Sequence, residues 1–352
     1  MRRKILYGLL VVLLAAAAFG WWWTRPLPVL TITTWAGTYG RAQASSQILP
    51  YGIEKRVDAR IAQWSGNLDD VRRAVSSGQY AGDVIDFELP AAITACRENL
   101  LEPIDAASLP PGADGTAAAQ DFFKGMVGPC FVASAIYSQM IVCQAPCALG
   151  DLGALFTRAA AGEKFGLQRS AKINLEMALL ADGVRPEEVY AVLATEAGVT
   201  RAFARLDAIK PHIVWWAGAN EPIANLRSGR TAFTTALTSE VQAAANLVIH
   251  PLQFYEADVL AIARGNPKKE MALDYIRYAT GSAPLAGMAR FAPFTPPRRS
   301  SRALVEKLPP SPTRDFVLSQ KGALDNSFAV DDAWWHEHGA ALESRFRIWV
   351  NS

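Results

Sequence analysis

The residues that can do chemistry here are acids and aromatic rings near strand ends. Asp258 lies inside an apolar run, Leu252 to Ile262, where a carboxylate must face water or meet a partner. Tyr255 and Glu256 stand beside it. Asp86 and Glu88 fall near the end of a third strand-like stretch, either as binding groups or as a capped or solvated strand end. Trp35 and Tyr39 flank the first strand-to-helix turn, the region where open α/β sheets gather ligand contacts, with core packing as the alternative. Trp216 follows a strand and opens a Gly-containing turn. Glu176 stands at the start of a helix, which is also where an exposed acid is unremarkable.

Catalytic patterns are missing. No G-x-S-x-G elbow, Walker loop, H-E-x-x-H or G-x-G-x-x-G occurs. The histidines, His212, His250, His336 and His338, are scattered, and the last two sit on what reads as a solvated terminal helix. No catalytic residue, metal ligand or cofactor is therefore expected, and the chain reads as a binder and not an enzyme.

Four cysteines, Cys96, Cys130, Cys143 and Cys147, are an even number that suits an oxidising compartment. Cys143 and Cys147 flank a Pro-containing turn and can bridge locally, which leaves Cys96 for Cys130; four buried thiols are the alternative. No second Cys or His pair stands at zinc-ligand spacing.

The N-terminus agrees with export. Arg2, Arg3 and Lys4 precede the apolar run Ile5 to Trp23, so the remainder is expected outside the inner membrane, in the periplasm. Ala16 and Ala18 offer a cleavage site for a signal peptide. The run is also long enough to remain as an anchor over residues 1–23, with Trp21 to Trp23 as an interfacial belt.

The elements that must position the acids and rings follow from periodicity. Val29 to Trp35, Asp58 to Trp64 and Asp83 to Leu89 read as strands. Gly37 to Gly40 form a turn before a helix from Arg41, and further helices open at Asp69 and Pro90. This alternation predicts a mainly parallel α/β sheet. Val127 to Ile141 reads as extended, a second α/β region follows, and a last amphipathic helix covers Asp331 to Val350. At 352 residues, 51% hydrophobic and 19% charged, the chain can fill two cores. A net charge of +2 without a basic run argues against nucleic-acid binding.

An ordered set of segments resembles the extracellular solute-binding proteins of the spermidine/putrescine class. The segments are Thr34-Trp-Ala-Gly-Thr-Tyr39, Asp83-Val-Ile-Asp-Phe-Glu88, Ala95 through Asp105, Asn174 through Val184, Arg201 through Lys210 with Trp215-Trp216, and Asp258 through Pro267. The resemblance implies a type II periplasmic-binding fold, an α/β architecture of two lobes joined by hinge crossings. Crossings would fall near Val132 to Tyr137, Leu252 to Tyr255 and Pro297 to Ser301. Residues 29–132 plus 256–298 would form one lobe, and 133–255 plus 299–352 the other.

It also implies a monomeric receptor that closes over a small molecule and delivers it to an ABC permease. Trp35 and Tyr39 would be aromatic walls, Asp258 a ligand carboxylate, and Glu176 a cleft-facing acid. Asp86, Glu88, Trp216 and Tyr255 complete the expected ligand set. Carboxylates and aromatic faces are what a desolvated organic cation requires, so a polyamine-like ligand is the expectation. The chain departs from its relatives at Thr235-Ala-Leu-Thr-Ser239 and at Cys143, which leaves room for an anionic or zwitterionic solute. A membrane-tethered sensor built on the same fold is the other alternative.

Overall fold

The computed structural model describes residues 25–320 and 327–352, and the N-terminal apolar run with its cleavage site lies outside the described residues. The strands are β1 (Val29–Thr34), β2 (Asp58–Gln63), β3 (Val84–Glu88), β4 (Val132–Gln144), β5 (Phe165–Gln168), β6 (Ile213–Trp216), β7 (Phe233–Leu237), β8 (Leu247–Ala261) and β9 (Phe328–Ala329). They form one curled sheet in the order β2-β1-β3-β8-β4-β7-β5-β6, with β9 against β8. Helices cover its faces, as an α/β architecture requires.

The sheet is mixed, where strand–helix alternation predicted a mainly parallel one. β1 pairs in parallel with β2 and β3, and β5 with β6 and β7. The difference comes from two long strands. β4 and β8 run antiparallel to each other over most of their length, and each also pairs antiparallel with a neighbour, β8 with β3 and β4 with β7. Each half of the sheet is a parallel α/β unit, and the long pair spans both.

Two hydrophobic cores lie along that pair. One is built on Leu30, Ile32, Phe87, Leu260 and Tyr275. The other is built on Phe156, Phe165, Phe233, Phe254 and Phe346. The Asp332–Asn351 helix is amphipathic as expected: Trp335, Leu342 and Phe346 are buried in the second core, while His336 and His338 lie on its exposed face. Its His336 ring Nδ1 lies 2.7 Å from the Thr94 hydroxyl.

Two disulfides and a buried ion pair add further ties. Cys96 is bridged to Cys130 and Cys143 to Cys147. Arg298, fully buried, pairs with Asp121, donates to the Pro110 carbonyl and stacks over Phe122. Ser300 completes the set by donating to both Asp121 oxygens. Among the described residues, no helix is long and apolar enough to cross a membrane.

The first helix begins at Gly37 rather than Arg41, immediately after Trp35-Ala36. Gly40 makes this tight entry possible, because a Cβ there would sit 2.1 Å from the Trp35 carbonyl oxygen. The turn that carries Trp35 and Tyr39 is thus closed by backbone contact.

Candidate functional site

The register of the central strands gathers the acids. In an antiparallel ladder, directly opposed residues share a face, and so do residues two apart on one strand. Glu88 on β3 opposes Asp258 on β8, which in turn opposes Ala135 on β4. Two residues along, Glu256 opposes Tyr137. Glu88, Asp258, Glu256 and Tyr137 therefore project to one side of the sheet, together with Asp86. Solvent access differs within this group: Glu88 is exposed, Glu256 partly buried, Asp258 buried and Asp86 fully so.

The inner end is a hydrogen-bonded knot. Tyr39 donates to Asp86 at 2.7 Å, and its hydroxyl also lies 2.8 Å from Ser134 Oγ. Gln43, one turn further along the helix, donates to the same Asp86 oxygen at 2.5 Å. Ser134 reaches the Asp258 carbonyl at 3.1 Å. Phe294 packs edge-on against Tyr39, and Trp64 edge-on against Trp35. Among the described residues the second Asp86 oxygen and the Trp35 indole N–H are buried without a hydrogen bond of ordinary geometry, although the indole lies close enough to both aspartates to favour their ionised forms.

Burial dominates the electrostatics of this knot. Burial pushes the Asp86 carboxyl up to about 7, against the pull of Tyr39, Gln43 and Trp35. Asp258 lies well above the ordinary carboxyl range, first through burial and then through the charges of Asp86, Glu88 and Glu256. The Tyr39 phenol is raised by burial and by the same two aspartates. Each carboxyl holds its proton more tightly because burial penalises the ionised form, and at Asp258 the neighbouring acids add to that.

Beyond Glu256 the pattern changes. Lys172, from the loop between β5 and the helix Asn174–Ala181, places its ammonium between Glu256 and Asp332, with Asp332 at 2.7 Å. Burial pulls the Lys172 ammonium down, but the two carboxylates outweigh it and hold it above its ordinary value. Asp332 is pushed up to about 7 by burial, with Glu256 adding to that and Lys172 opposing it. The Lys172 loop is anchored by Glu343 on the terminal helix, which accepts from Ser170 Oγ and the Ala171 and Lys172 amides.

The expected residues thus divide. Trp35, Tyr39, Asp86, Glu88 and Asp258 come together in one place, with Glu256 next to them. Tyr255 is buried on β8, opposite Ser138 on β4. Glu176 is fully buried and accepts from Trp335 and Tyr190, so its visible partners belong to the protein. Trp216 is 1% exposed and donates its indole N–H to Thr235, a packed position where an open aromatic was expected. Gln43, Ser134, Lys172 and Asp332 were not read from the sequence. The signal available was the two-residue spacing of Asp86 and Glu88 and of Glu256 and Asp258, which puts each pair on one strand face.

A family model for the bacterial extracellular solute-binding proteins matches residues 52–314. The chain belongs to this family. This solute-binding protein is 29% identical over 332 residues to the gamma-aminobutyric acid-binding protein of Pseudomonas aeruginosa, covering 91% of this chain and 90% of the relative. Among solved structures it is similar to the Atu4243-GABA receptor, with a TM-score of 0.75 at 22% identity over 91% of this chain and 97% of that one. An ABC transporter substrate-binding protein from Bradyrhizobium japonicum gives 0.76 at 21%, over 91% and 98%. These two likenesses establish the fold. As a member of that family, the protein is a solute-binding receptor. The family match is broader than the spermidine/putrescine class whose motifs the sequence resembles.

Proposed function

We propose that this receptor captures a small solute carrying one primary ammonium and a carboxylate-type far end, of the γ-aminobutyric acid (GABA) kind, and hands it to an ABC permease from the periplasm. The observation that carries the reading is the pair Asp86 and Asp258, two buried carboxyls beside Trp35 and Tyr39 that pair with no Lys or Arg among the described residues. An ammonium placed there would supply the missing charge, and the rings suit its methylene chain. The relative named for gamma-aminobutyric acid supports a monoamine. In this reading residues 29–132 with 256–298 move as one lobe and 133–255 with 299–352 as the other. They close about β4, β8 and the segment near Arg298. A di- or polyamine is the second reading, favoured by the further acids Glu88, Glu256 and Asp332.

The test is calorimetric titration of GABA into the full chain and its Asp258→Asn variant. Removing one charge of a desolvated pair costs about 2–5 kcal/mol, so the variant should bind at least about 30-fold more weakly. Affinity within threefold of the original would sink the assignment.

A further inference from the structure

The two readings above differ in whether the site accepts a second ammonium, and Lys172 bears on that choice. Its ammonium is ion-paired to Glu256 and Asp332, and Asp332 is itself fully buried. Glu256 lies two residues from Asp258 on β8, on the same face, which is about 6.6 Å along a strand. Three bonds of an extended chain span about 3.8 Å. By the same geometry, the five bonds between the nitrogens of a four-carbon diamine span about 6.3 Å. A diamine with one end at Asp258 would therefore bring its other ammonium to Glu256, where the Lys172 ammonium already sits.

We infer that Lys172 is a specificity-determining residue: a tethered ammonium that fills the second cation subsite, so that the receptor accepts monoamines and rejects diamines. The inference rests on the monoamine reading and supplies its physical cause. Without Lys172, Glu88, Glu256 and Asp332 would confront the far end of the ligand with uncompensated acids, which repel a carboxylate and attract an ammonium. With it, Glu256 and Asp332 are satisfied from within. A second cation would have to displace a lysine whose loop is clamped by three hydrogen bonds to Glu343. Discrimination here comes from a built-in repulsive element as much as from contacts to the chosen ligand.

The experiment measures dissociation constants for GABA and putrescine with the full chain, with Lys172→Met and with Lys172→Gln. The original chain should prefer GABA by at least tenfold. Lys172→Met matches the stem of lysine without its charge. It should gain at least tenfold in putrescine affinity and lose its preference for GABA. Lys172→Gln still donates hydrogen bonds to Glu256 and Asp332, and it covers the case in which the Met variant does not fold; the same direction of change is expected. If the original prefers GABA and neither variant alters the ratio, the role of Lys172 is overturned while the monoamine reading stands. If the original binds putrescine as tightly as GABA, both fall.

Discussion

At Asp86 and Asp258 the fold keeps two carboxyls where burial opposes their charge, so stability and ligand capture respond to pH in opposite directions. The Asp86 carboxyl is raised from 3.8 to about 7. The native state therefore keeps this proton after the unfolded chain has lost it. Its contribution to stability is fully present below pH 3.8 and is lost as pH rises through about 7. Binding of an ammonium runs the other way, because it needs the ionised form. With one such carboxyl, affinity should rise about 20-fold between pH 5.5 and 7.5, with proton release visible as a buffer-dependent heat. Affinity flat across that range would mean that the ligand does not meet these acids. Asp258 was legible in the sequence because an acid within an apolar strand has few explanations. Lys172 was not, since its partners are 84 and 160 residues away and only the fold unites them. Trp216 was ambiguous for a related reason: a strand-end aromatic looks alike whether it faces a ligand or, as here, is buried and donates to Thr235 on β7, one strand beyond β5.

Among the elements, the loop before Asn174 shows how much the terminal helix does. Ile173 adopts φ 71°, a left-handed conformation that costs a β-branched residue about 1–3 kcal/mol. The three donors held by Glu343 offset that strain and fix the start of the Lys172 side chain. Glu343→Ala should lower stability by about 2–3 kcal/mol, the scale of hydrogen bonds to a charged group. It should also narrow the preference for GABA over putrescine, which a purely structural loss would leave alone; chemical denaturation and paired titrations read the two effects separately. The helix itself was legible from its periodicity, and its core-facing residues Trp335, Leu342 and Phe346 are what the apolar spacing provides. Its service to a loop 171 to 173 residues earlier was not. Likewise each parallel α/β unit could be read from strand–helix alternation. The antiparallel pairing of β8 with β3 and β4 depends on long-range register, which no local pattern records.

Across the whole molecule, the acids sit where the long β4–β8 pair leaves one core for the other, so a ligand held there touches elements anchored in both. Glu256 and Asp258 are on β8, Asp86 is on the first core's β3, and Lys172 and Asp332 come from segments packed on the second core. In the proposed two-lobe reading, such a placement lets a solute held at Asp86 and Asp258 bias lobe closure by meeting groups from both sides. The central claim is that the ammonium of the solute is what the buried aspartates recognise. Its most direct test is the melting temperature of the full chain with GABA and with butyrate, which keeps the carboxylate and the carbon chain but lacks the amine. A ligand at 100 times its dissociation constant stabilises the native state by about 2.7 kcal/mol, which a thermal scan resolves readily. GABA should raise the melting temperature and butyrate at the same concentration should leave it unchanged; an equal rise with butyrate would contradict the account.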